Sequence, residues 1–372
     1  MRFPRPSDRP RALAAAAFAL LMLPAAAHAQ RGMLLQGLFD AEAWATDSAS
    51  RLLARNAGHP GALARLRLWS AVEPWKGVVL FAEGQVEGGN ARADEEQLEV
   101  YVEQFGLRIA PSRALVIEAG KLTHPVGAFA SRRFSDRNPL IGSPDGYPVE
   151  YPLGASVSGA AGRFDYHAAA VSLPLTHENY LPGPTPRLRP ALAAGITLAP
   201  GLRIGASGTW GPYLGDSLPA SLLVGKPWQS YEQQIVAIDA QVSYGYLETH
   251  VEAAKSRYDV PVSEGVLHGF TYYVEAKYTL SPRVYLAGRY ERNEYPYLQP
   301  LDAGSWMARV TNVYNSEGGV GYRLSASRLI KMTYRADSWR VDPFMRSFLP
   351  NGHAVAVQVS QSLDFSDLLR RR

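Results

Sequence analysis

The stretch from Thr123 to Pro152, THPVGAFASRRFSDRNPLIGSPDGYPVEYP, is the longest gap between regular segments after the N-terminal leader. It follows a strand-like run at Leu115–Leu122 and precedes another at Leu153–Gly159. Its prolines and glycines interrupt any helix or strand, yet it carries large apolar side chains: Phe129, Phe134, Leu140, Ile141, Tyr147 and Tyr151. A loop of this length with its own apolar surface is predicted to be compact and anchored, and such loops commonly carry function.

The segments on either side of this loop alternate between apolar and polar residues with a period of two. This pattern is typical of β-strands that have two different faces. In the first segment, one face carries Phe39, Ala41, Ala43 and Ala45, and the other carries Asp40, Glu42 and Trp44. The last segment, Ala354–Phe365, places Val355, Val357, Val359, Leu363 and Phe365 on one face. The pattern predicts about sixteen strands along the chain.

The connections between these segments alternate between short and long. Short connections include Tyr244–Gly245 and Ser281–Arg283, and long ones include Glu291–Arg309. The stretch Thr123–Pro152 is the third long connection along the chain. A meander with tight turns at one end and long loops at the other is how transmembrane barrels are built. A soluble sandwich has water at both ends and no reason to separate its loops by length.

The chemistry of the two faces indicates the same architecture. Sixteen strands enclose a space too wide for side chains to fill, so the apolar face is stable only against lipid and the charged face against water. We therefore expect an all-β fold, a transmembrane antiparallel up-and-down β-barrel over residues 30–372, with short periplasmic turns, long extracellular loops and residues 123–152 folded into the lumen as a constriction loop. Aromatic residues near strand ends are typical of interfacial girdles. They are Trp75, Trp210, Trp306, Trp339, Tyr244 and Tyr246.

The N-terminus predicts export. Four arginines precede the apolar run Ala12–Leu23, and Ala27-His28-Ala29 has the spacing that signal peptidase recognises. We expect residues 1–29 to be a cleaved signal peptide and the outer membrane to be the destination. The net charge of +4 is carried mostly by this leader. The remaining chain has no basic excess that would indicate a nucleic-acid partner.

The strand count, the loop alternation and the position of the longest loop resemble the sixteen-stranded outer-membrane porins of Gram-negative bacteria. Several stretches also resemble the wider porin-like superfamily, which includes anion-selective members. They are GKLTHPVGAF (Gly120–Phe129), RNPLIGSPDGY (Arg137–Tyr147), GGVGYRL (Gly318–Leu324) and LIKMTYR (Leu329–Arg335). The resemblance implies a channel whose third long loop narrows the pore, with homotrimers as the family's usual assembly.

The C-terminus departs from the pattern of that family. Such barrels commonly end on an aromatic residue that the barrel-assembly machinery reads, whereas this chain continues past Phe365 with SDLLRRR. The resemblance implies that Phe365 is the assembly signal and that residues 366–372 form a periplasmic tail.

Charged residues are predicted to line the lumen in two groups. Early strands contribute Glu83, Glu87, Glu99, Glu103 and Glu118, and late strands contribute Lys277, Arg289, Arg323, Lys331 and Arg335, with Arg65, Arg67, Glu248 and Glu252 as exceptions. Two separate arcs of opposite charge would produce a transverse field across the pore.

The long loop adds Arg132, Arg133, Asp136 and Arg137, which are biased toward positive charge. At a constriction this bias favours anions, because a narrow passage of low dielectric amplifies fixed charge. The same arginines could instead hold the loop to the acidic arc as ion pairs, and the sequence leaves both interpretations open.

Enzyme motifs are missing from the sequence. It has no G-x-S-x-G, no P-loop, no G-x-G-x-x-G and no cysteine, and its histidines occur singly. For His124, a hydrogen bond that anchors the loop is favoured over catalysis. We expect passive diffusion of small hydrophilic or anionic solutes, with outer-membrane lipid around the barrel and no cofactor or metal. The alternatives are a non-conducting barrel that acts as a surface receptor or adhesin, through loops such as Pro212–Glu232, and an outer-membrane lipase.

Overall fold

The computed structural model describes residues 33–50, 53, 56–91, 98–145, 151–172, 188–213, 227–260, 265–300, 306–340 and 351–365. For residues 228, 295–300 and 306–310 it describes the backbone alone. The predicted signal peptide, the C-terminal tail at 366–372 and the side chain of Trp306 lie outside the described residues, as do most of the loop at 212–232 and residues 146–150 of the constriction loop. Among the described residues, no helix has the length and apolar character needed to cross a membrane.

The described chain forms one sheet of sixteen antiparallel strands. They are β1 Met33–Thr46, β2 Gly61–Trp75, β3 Val78–Gly89, β4 Leu98–Ser112, β5 Leu115–Lys121, β6 Leu153–Ala161, β7 Phe164–Ser172, β8 Leu188–Ala199, β9 Leu202–Pro212, β10 Glu232–Tyr244, β11 Leu247–Asp259, β12 Val266–Thr279, β13 Val284–Pro300, β14 Trp306–Ser325, β15 Arg328–Arg340 and β16 Gly352–Asp364. Each strand pairs with its neighbours in sequence, and β1 also pairs with β16, which closes the barrel. The prediction of a closed up-and-down barrel with about sixteen strands is confirmed.

The outer surface of the barrel is apolar. Val236 and Ile238 on β10 are 64% and 61% exposed, and Phe39, Leu192, Leu286 and Val357 are also exposed on their strands. The inner face carries buried charges such as Asp40 and Glu83. Exposed apolar residues on every side of a water-soluble protein would drive aggregation, whereas lipid solvates them. The predicted order of the faces, apolar outside and charged inside, is the one observed.

One β-bulge interrupts the alternation in β4. Glu83 and Gly84 on β3 pair with Gln104 and Val102, so Glu103 is an extra residue in β4. The bulge lets both Glu103 and Gln104 face the lumen, where Gln104 Nε2 donates to Glu83 Oε2 at 2.6 Å. Strict alternation along β4 fails beyond this point because a bulge shifts the faces by one residue.

The strands β13 and β14 are longer than the alternation in the sequence predicts. The loop expected at Glu291–Arg309 is mostly a paired hairpin, because β13 has 17 residues, β14 has 20, and they pair as far as Pro300 and Trp306. Alternation disappears where a hairpin extends beyond the lipid, since both faces then meet water. Backbone pairing continues there without a sequence signal.

The chain leaves β5 for the constriction loop beside Gly120. This residue has a φ of +144°, and a methyl group on its Cα would lie 2.1 Å from the carbonyl oxygen of Phe105. Only glycine accommodates both the backbone angle and the close approach of β4. Lys121 follows, fully buried, and its Nζ donates to the carbonyl oxygen of Val102 at 2.7 Å.

We therefore expect Gly120→Ala to lower the free energy of unfolding by about 2 kcal/mol or more, because strained φ and a backbone clash act together. Urea unfolding of the protein in lipid vesicles would measure the loss. Gly318→Ala is the matched control, because a methyl group at Gly318 meets no described atom within 4 Å. Equal losses in the two variants would contradict the assignment.

Candidate functional site

The loop between β5 and β6 lies inside the barrel. Its two ends are joined where the backbone N–H of Leu122 donates to the carbonyl oxygen of Pro152 at 2.9 Å. Its only described regular element is a short 3₁₀ turn at Phe129–Arg132. The contacts of its described residues with inward-facing wall residues come from both halves of the barrel, so the third long loop folds into the lumen as predicted.

The first part of the loop binds to β9, β11 and β12. The N–H of Gly127 donates to Ser207 Oγ, and the N–H of Ala128 donates to Glu252 Oε1, both at 3.0 Å. Phe129 is buried with its ring edge-on to Tyr273, with centroids 6.4 Å apart. The wall thus accepts hydrogen bonds from loop N–H groups that have no strand partner.

Arg132 continues this attachment through an ion pair. Its guanidinium lies 2.5 Å from Glu275 on β12 and donates to the Tyr273 hydroxyl at 3.3 Å. Glu275 also accepts from Arg289 at 3.1 Å, and Arg289 lies 2.6 Å from Glu317 on β14. Burial lowers the pKa of Arg132, but Glu275 more than offsets this effect, so its pKa is raised above the ordinary value.

The ion-pair chain returns to the loop at Gly142. The other carboxylate oxygen of Glu317, Oε1, accepts from the N–H of Gly142 at 2.9 Å. Arg132 and Gly142, ten positions apart in the loop, are therefore connected through Glu275, Arg289 and Glu317 of the wall. Charge-assisted hydrogen bonds of this kind are stronger than neutral ones, and they hold this segment against β12–β14.

Arg133 reaches the opposite wall. Its NH2 group lies 2.8 Å from Glu83 on β3 and 3.2 Å from Glu103 at the β4 bulge. The guanidinium carbon is 3.9 Å from the centroid of Phe134 and 4.8 Å from that of Tyr151. The bulge therefore positions the second carboxylate of this pair, and the loop spans the lumen from β12 to β3.

The middle of the loop is bound by Lys331 on β15. Its buried Nζ donates to the carbonyl oxygens of Ser135, Asn138 and Leu140 at 2.9, 3.1 and 3.0 Å. These three bonds use all the donors of an ammonium group. Leu140 is fully buried in a cluster with Tyr285, Ala287 and Leu329. The Tyr285 hydroxyl donates to the Pro139 carbonyl oxygen at 3.0 Å.

Other contacts complete the attachment to β1, β2, β14 and β15. The Ser135 hydroxyl donates to Asp40, and Phe134 packs edge-on against Trp69 with centroids 5.0 Å apart. Asp145 accepts from Asn315 at 2.7 Å and lies 2.5 Å from Arg335. The loop is thus held by described residues on ten of the sixteen strands.

The four predicted loop charges separate into two kinds. Arg132 and Arg133 are neutralised by wall carboxylates, which is the alternative in which arginines hold the loop in place. Asp136 and Arg137 are exposed, and no ion pair within the described residues involves either of them. The two exposed charges are of opposite sign, so the described loop offers no excess positive charge to a passing solute.

The predicted wall charges all lie on the inner face. Arg65 and Arg67 are on β2, Glu83 on β3, Glu99 and Glu103 on β4, Glu118 on β5, Lys277 on β12, Arg289 on β13, Arg323 on β14, and Lys331 and Arg335 on β15. Phe365 lies at the end of the closing strand, where its N–H donates to the Leu35 carbonyl oxygen at 3.0 Å.

The prediction of two separate arcs of opposite charge is wrong. The basic late strands also carry Glu275, Glu291, Glu317 and Asp337, all buried on the inner face. On the acidic early strands, Arg65 is paired with both Glu42 and Glu87. Burial inside the lumen favours local neutralisation, because an unpaired buried charge is costly.

Glu275 and Glu317 are the functional residues that sequence reasoning missed. Glu275 is two residues from the predicted Lys277, and Glu317 is six from Arg323, so period-two alternation places both on the inner face. Their role in binding the loop has no signal in the sequence, because it depends on where residues 132 and 142 lie in space.

Three cavities surround the loop. The long-loop cavity, of about 500 Å³, lies between the loop and the halves of β1, β2 and β3 nearest the long connections, and it is also lined by β15 and β16. Two others, of about 680 and 510 Å³, lie toward the short turns, the first beside β1–β4 and β16 and the second beside β7–β12. Asp136 and Arg137 line the first of these two.

Comparison with solved structures shows the same fold. OmpF of Salmonella typhi, in complex with daunomycin, matches with a TM-score of 0.63 and 12% identity over 89% of this chain and 97% of its own. An anion-selective porin from Comamonas acidovorans matches with a TM-score of 0.60 and 9% identity over 89% and 99%. The trimer form of OmpT, an outer membrane protein of Vibrio cholerae, matches with a TM-score of 0.57 and 11% identity over 89% of this chain and 99% of its own. No family model and no curated protein matches the sequence.

These identities are low, so the likeness establishes the fold and nothing finer. The chain has the sixteen-stranded barrel architecture of outer-membrane porins, as its sequence resemblance implied.

The Lys331 contacts generate a test of loop anchoring. Lys331→Met would leave three buried carbonyl oxygens without a donor, at about 1–3 kcal/mol each. We expect hydrogen exchange of the loop amides at 129–145 to accelerate by at least about tenfold, because local opening would cost less free energy. Mass-spectrometric exchange on the folded barrel measures this. Lys277→Met is the control, since Lys277 pairs with Glu248 of the wall. Equal protection of the loop amides in both variants would refute the anchoring role of Lys331.

His124 generates a pH prediction. Its Nδ1 accepts from the N–H of Val126 at 3.3 Å, and burial, reinforced by Arg189, lowers its pKa to about 3. The unfolded imidazole has a pKa of about 6.5, so between these values only the unfolded state binds the proton. This histidine therefore reduces stability as the pH falls from about 6.5 toward 3.

His124→Gln removes that titration. Between pH 7 and pH 4.5 we expect wild type to lose about 2 kcal/mol more stability than the variant. Urea unfolding of both proteins at the two pH values measures the change in the free energy of unfolding. The contributions of the other titrating groups cancel when the two changes are subtracted. A parallel loss in both proteins would mean that His124 is protonated in the folded state.

Proposed function

We propose that this protein is an outer-membrane porin that allows passive diffusion of small hydrophilic solutes, with a preference for anions. The observation that supports this most directly is a closed barrel with an apolar outside, a charged inside and cavities on both sides of an inward-folded loop. A charged inner wall solvates ions and polar solutes, and the gradient supplies the driving force. No cofactor enters this mechanism.

The anion preference is assigned to the wall rather than to the loop arginines. The wall contributes four cationic and two carboxylate side chains to the lining of the long-loop cavity. Arg132 and Arg133 are paired, so their replacement would change the size and mobility of the passage more than its selectivity. The net charge of the cavity lining favours anions because a narrow passage amplifies fixed charge.

The proposed location and partners follow from the same architecture. The apolar belt would contact outer-membrane lipid, the long loops would face the outside and the short turns the periplasm. Phe365 at the end of β16 remains the proposed signal for the barrel-assembly machinery. A homotrimer is the proposed assembly, supported by the trimer form of the matched OmpT barrel.

A non-conducting receptor or adhesin is the second candidate. The contacts of the loop with opposite walls favour it, since they hold the loop across the lumen. An outer-membrane lipase has no comparable support among the described residues, where no histidine is positioned beside a serine in a hydrogen-bonded pair.

Planar-bilayer conductance separates the first two candidates. We expect the folded protein to give small, stable current steps and a reversal potential of anion-selective sign in a salt gradient. Arg133→Gln should give larger steps, because it releases the loop from Glu83 and Glu103 and opens the β3–β4 side. Arg108→Gln is the control, since Arg108 pairs with Glu118 at 2.7 Å and makes no hydrogen bond or ion pair with the described loop residues.

Silence from protein that is demonstrably folded would overturn the porin proposal and favour the receptor. Equal step sizes in the Arg133 and Arg108 variants would show that the loop does not set the width of the passage.

A further inference from the structure

We propose that the long-loop cavity is a binding site for small organic anions that combine one carboxylate with an apolar body, such as an aromatic or branched aliphatic acid. This inference rests on the proposed function in one respect, because a solute must enter the lumen to reach the cavity. It goes further in naming the chemical class of that solute and the residues that select it.

The cavity has two chemically different sides. Its cationic side consists of Arg65, Arg67, Arg133, Lys331 and Arg335. Its apolar side consists of Trp44, Leu63 and Ile141. A volume of about 500 Å³ is within the range of small-molecule pockets.

Most of the cations in the cavity already have strong partners. Arg65 is paired with Glu87 and Glu42, Arg133 with Glu83 and Glu103, and Arg335 with Asp145. Lys331 uses its three donors on loop carbonyl oxygens. None of these four offers its full charge to a ligand.

Arg67 differs from the others. It is 9% exposed and its Nε has no hydrogen-bond partner among the described residues. The only ion pair that it makes with those residues is a long one, 3.6 Å from NH1 to Asp40 Oδ2. Asp40 is also engaged by the Ser135 hydroxyl. A buried guanidinium with an unpartnered Nε and a long ion pair is costly, and a planar carboxylate is the group that matches its fork.

Arg67 is also held in position. Its guanidinium carbon lies 5.4 Å from the centroid of Phe134, which is packed edge-on against Trp69. Phe134 belongs to the constriction loop, so the loop orients the side chain that would receive the anion. A preorganised arginine loses less conformational entropy when it binds than a mobile one.

The apolar side of the cavity belongs to a larger cluster. Trp44, Leu53, Leu63, Ala91, Ala354 and Ala356 form a buried cluster at the long-loop end, and Ile141 of the loop packs against it. A hydrated inorganic ion gains nothing from such a surface and loses water beside it. An organic acid can remove its apolar body from water there, at about 25 cal/mol per Å² buried, while its carboxylate meets Arg67.

The same lining disfavours other solutes. A cation would meet Arg67 and the net positive lining, and a neutral sugar would leave the guanidinium unsatisfied. The two sides together therefore select for a class of ligand that neither side selects alone.

Isothermal titration calorimetry on the full-length protein, folded in detergent micelles, tests the site with benzoate and acetate as probes and protein-free micelles as the blank. We expect benzoate to bind and acetate to bind at least about tenfold more weakly, because acetate lacks the ring. Arg67→Gln should lower the affinity for benzoate by about tenfold or more, since it removes a charge-assisted contact. Arg108→Gln should bind benzoate as wild type does.

Two further variants keep the test decisive if Arg67→Gln fails to fold. Arg67→Lys retains the charge without the fork and should give an intermediate affinity. Ile141→Ala should lower the affinity for benzoate and leave the affinity for acetate unchanged, which reduces the preference for benzoate. Equal affinity for benzoate and acetate, or unchanged benzoate binding in both Arg67 variants, would overturn the proposal.

The outcome is independent of conduction. Benzoate binding by a barrel that passes no current would support the site and reject the porin function. Current without benzoate binding would support the porin function and reject the site.

Discussion

Closure of the sheet is the constraint on which the rest of this structure depends. A strand in lipid has no water to satisfy its backbone N–H and C=O groups, so each strand must pair on both edges. The pairing of β1 with β16 removes the last free edges. Sixteen strands then enclose a lumen too wide for side chains to fill, and water enters it. The apolar outer face and the charged inner face follow from that one requirement.

The constriction loop solves a second problem that closure creates. Its backbone has no strand partners, so its polar groups must be satisfied by the wall. Lys331, Tyr285 and Glu317 provide donors and acceptors for that purpose. Arginines at 132 and 133 attach the loop to two walls, with β12 on one side and β3–β4 on the other. The loop is therefore a structural strut across the lumen.

The sequence predicts the barrel well because each strand carries its own signal. Alternation identifies the inner and outer faces of β1 and β16, and loop length identifies the two ends. It fails where the physics is not local. The β4 bulge at Glu103 and the extension of β13 and β14 depend on pairing with a neighbour and on the position of the lipid boundary. Which carboxylate meets Arg132 depends on the path of a loop that crosses the lumen.

The charge distribution connects these observations to selectivity. The sequence predicts opposite arcs of charge and a basic loop. Burial in the lumen instead favours structures in which each charge has a local partner of opposite sign. Pairing removes Arg132 and Arg133 from the field that a solute experiences, and it removes most of the wall arginines as well. In the proposed porin, selectivity would then depend on the charges that pairing leaves unneutralised rather than on the number of basic residues. Arg67, buried and loosely paired beside an apolar cluster, is such a charge, and in the proposed site its neighbours would decide which anions bind.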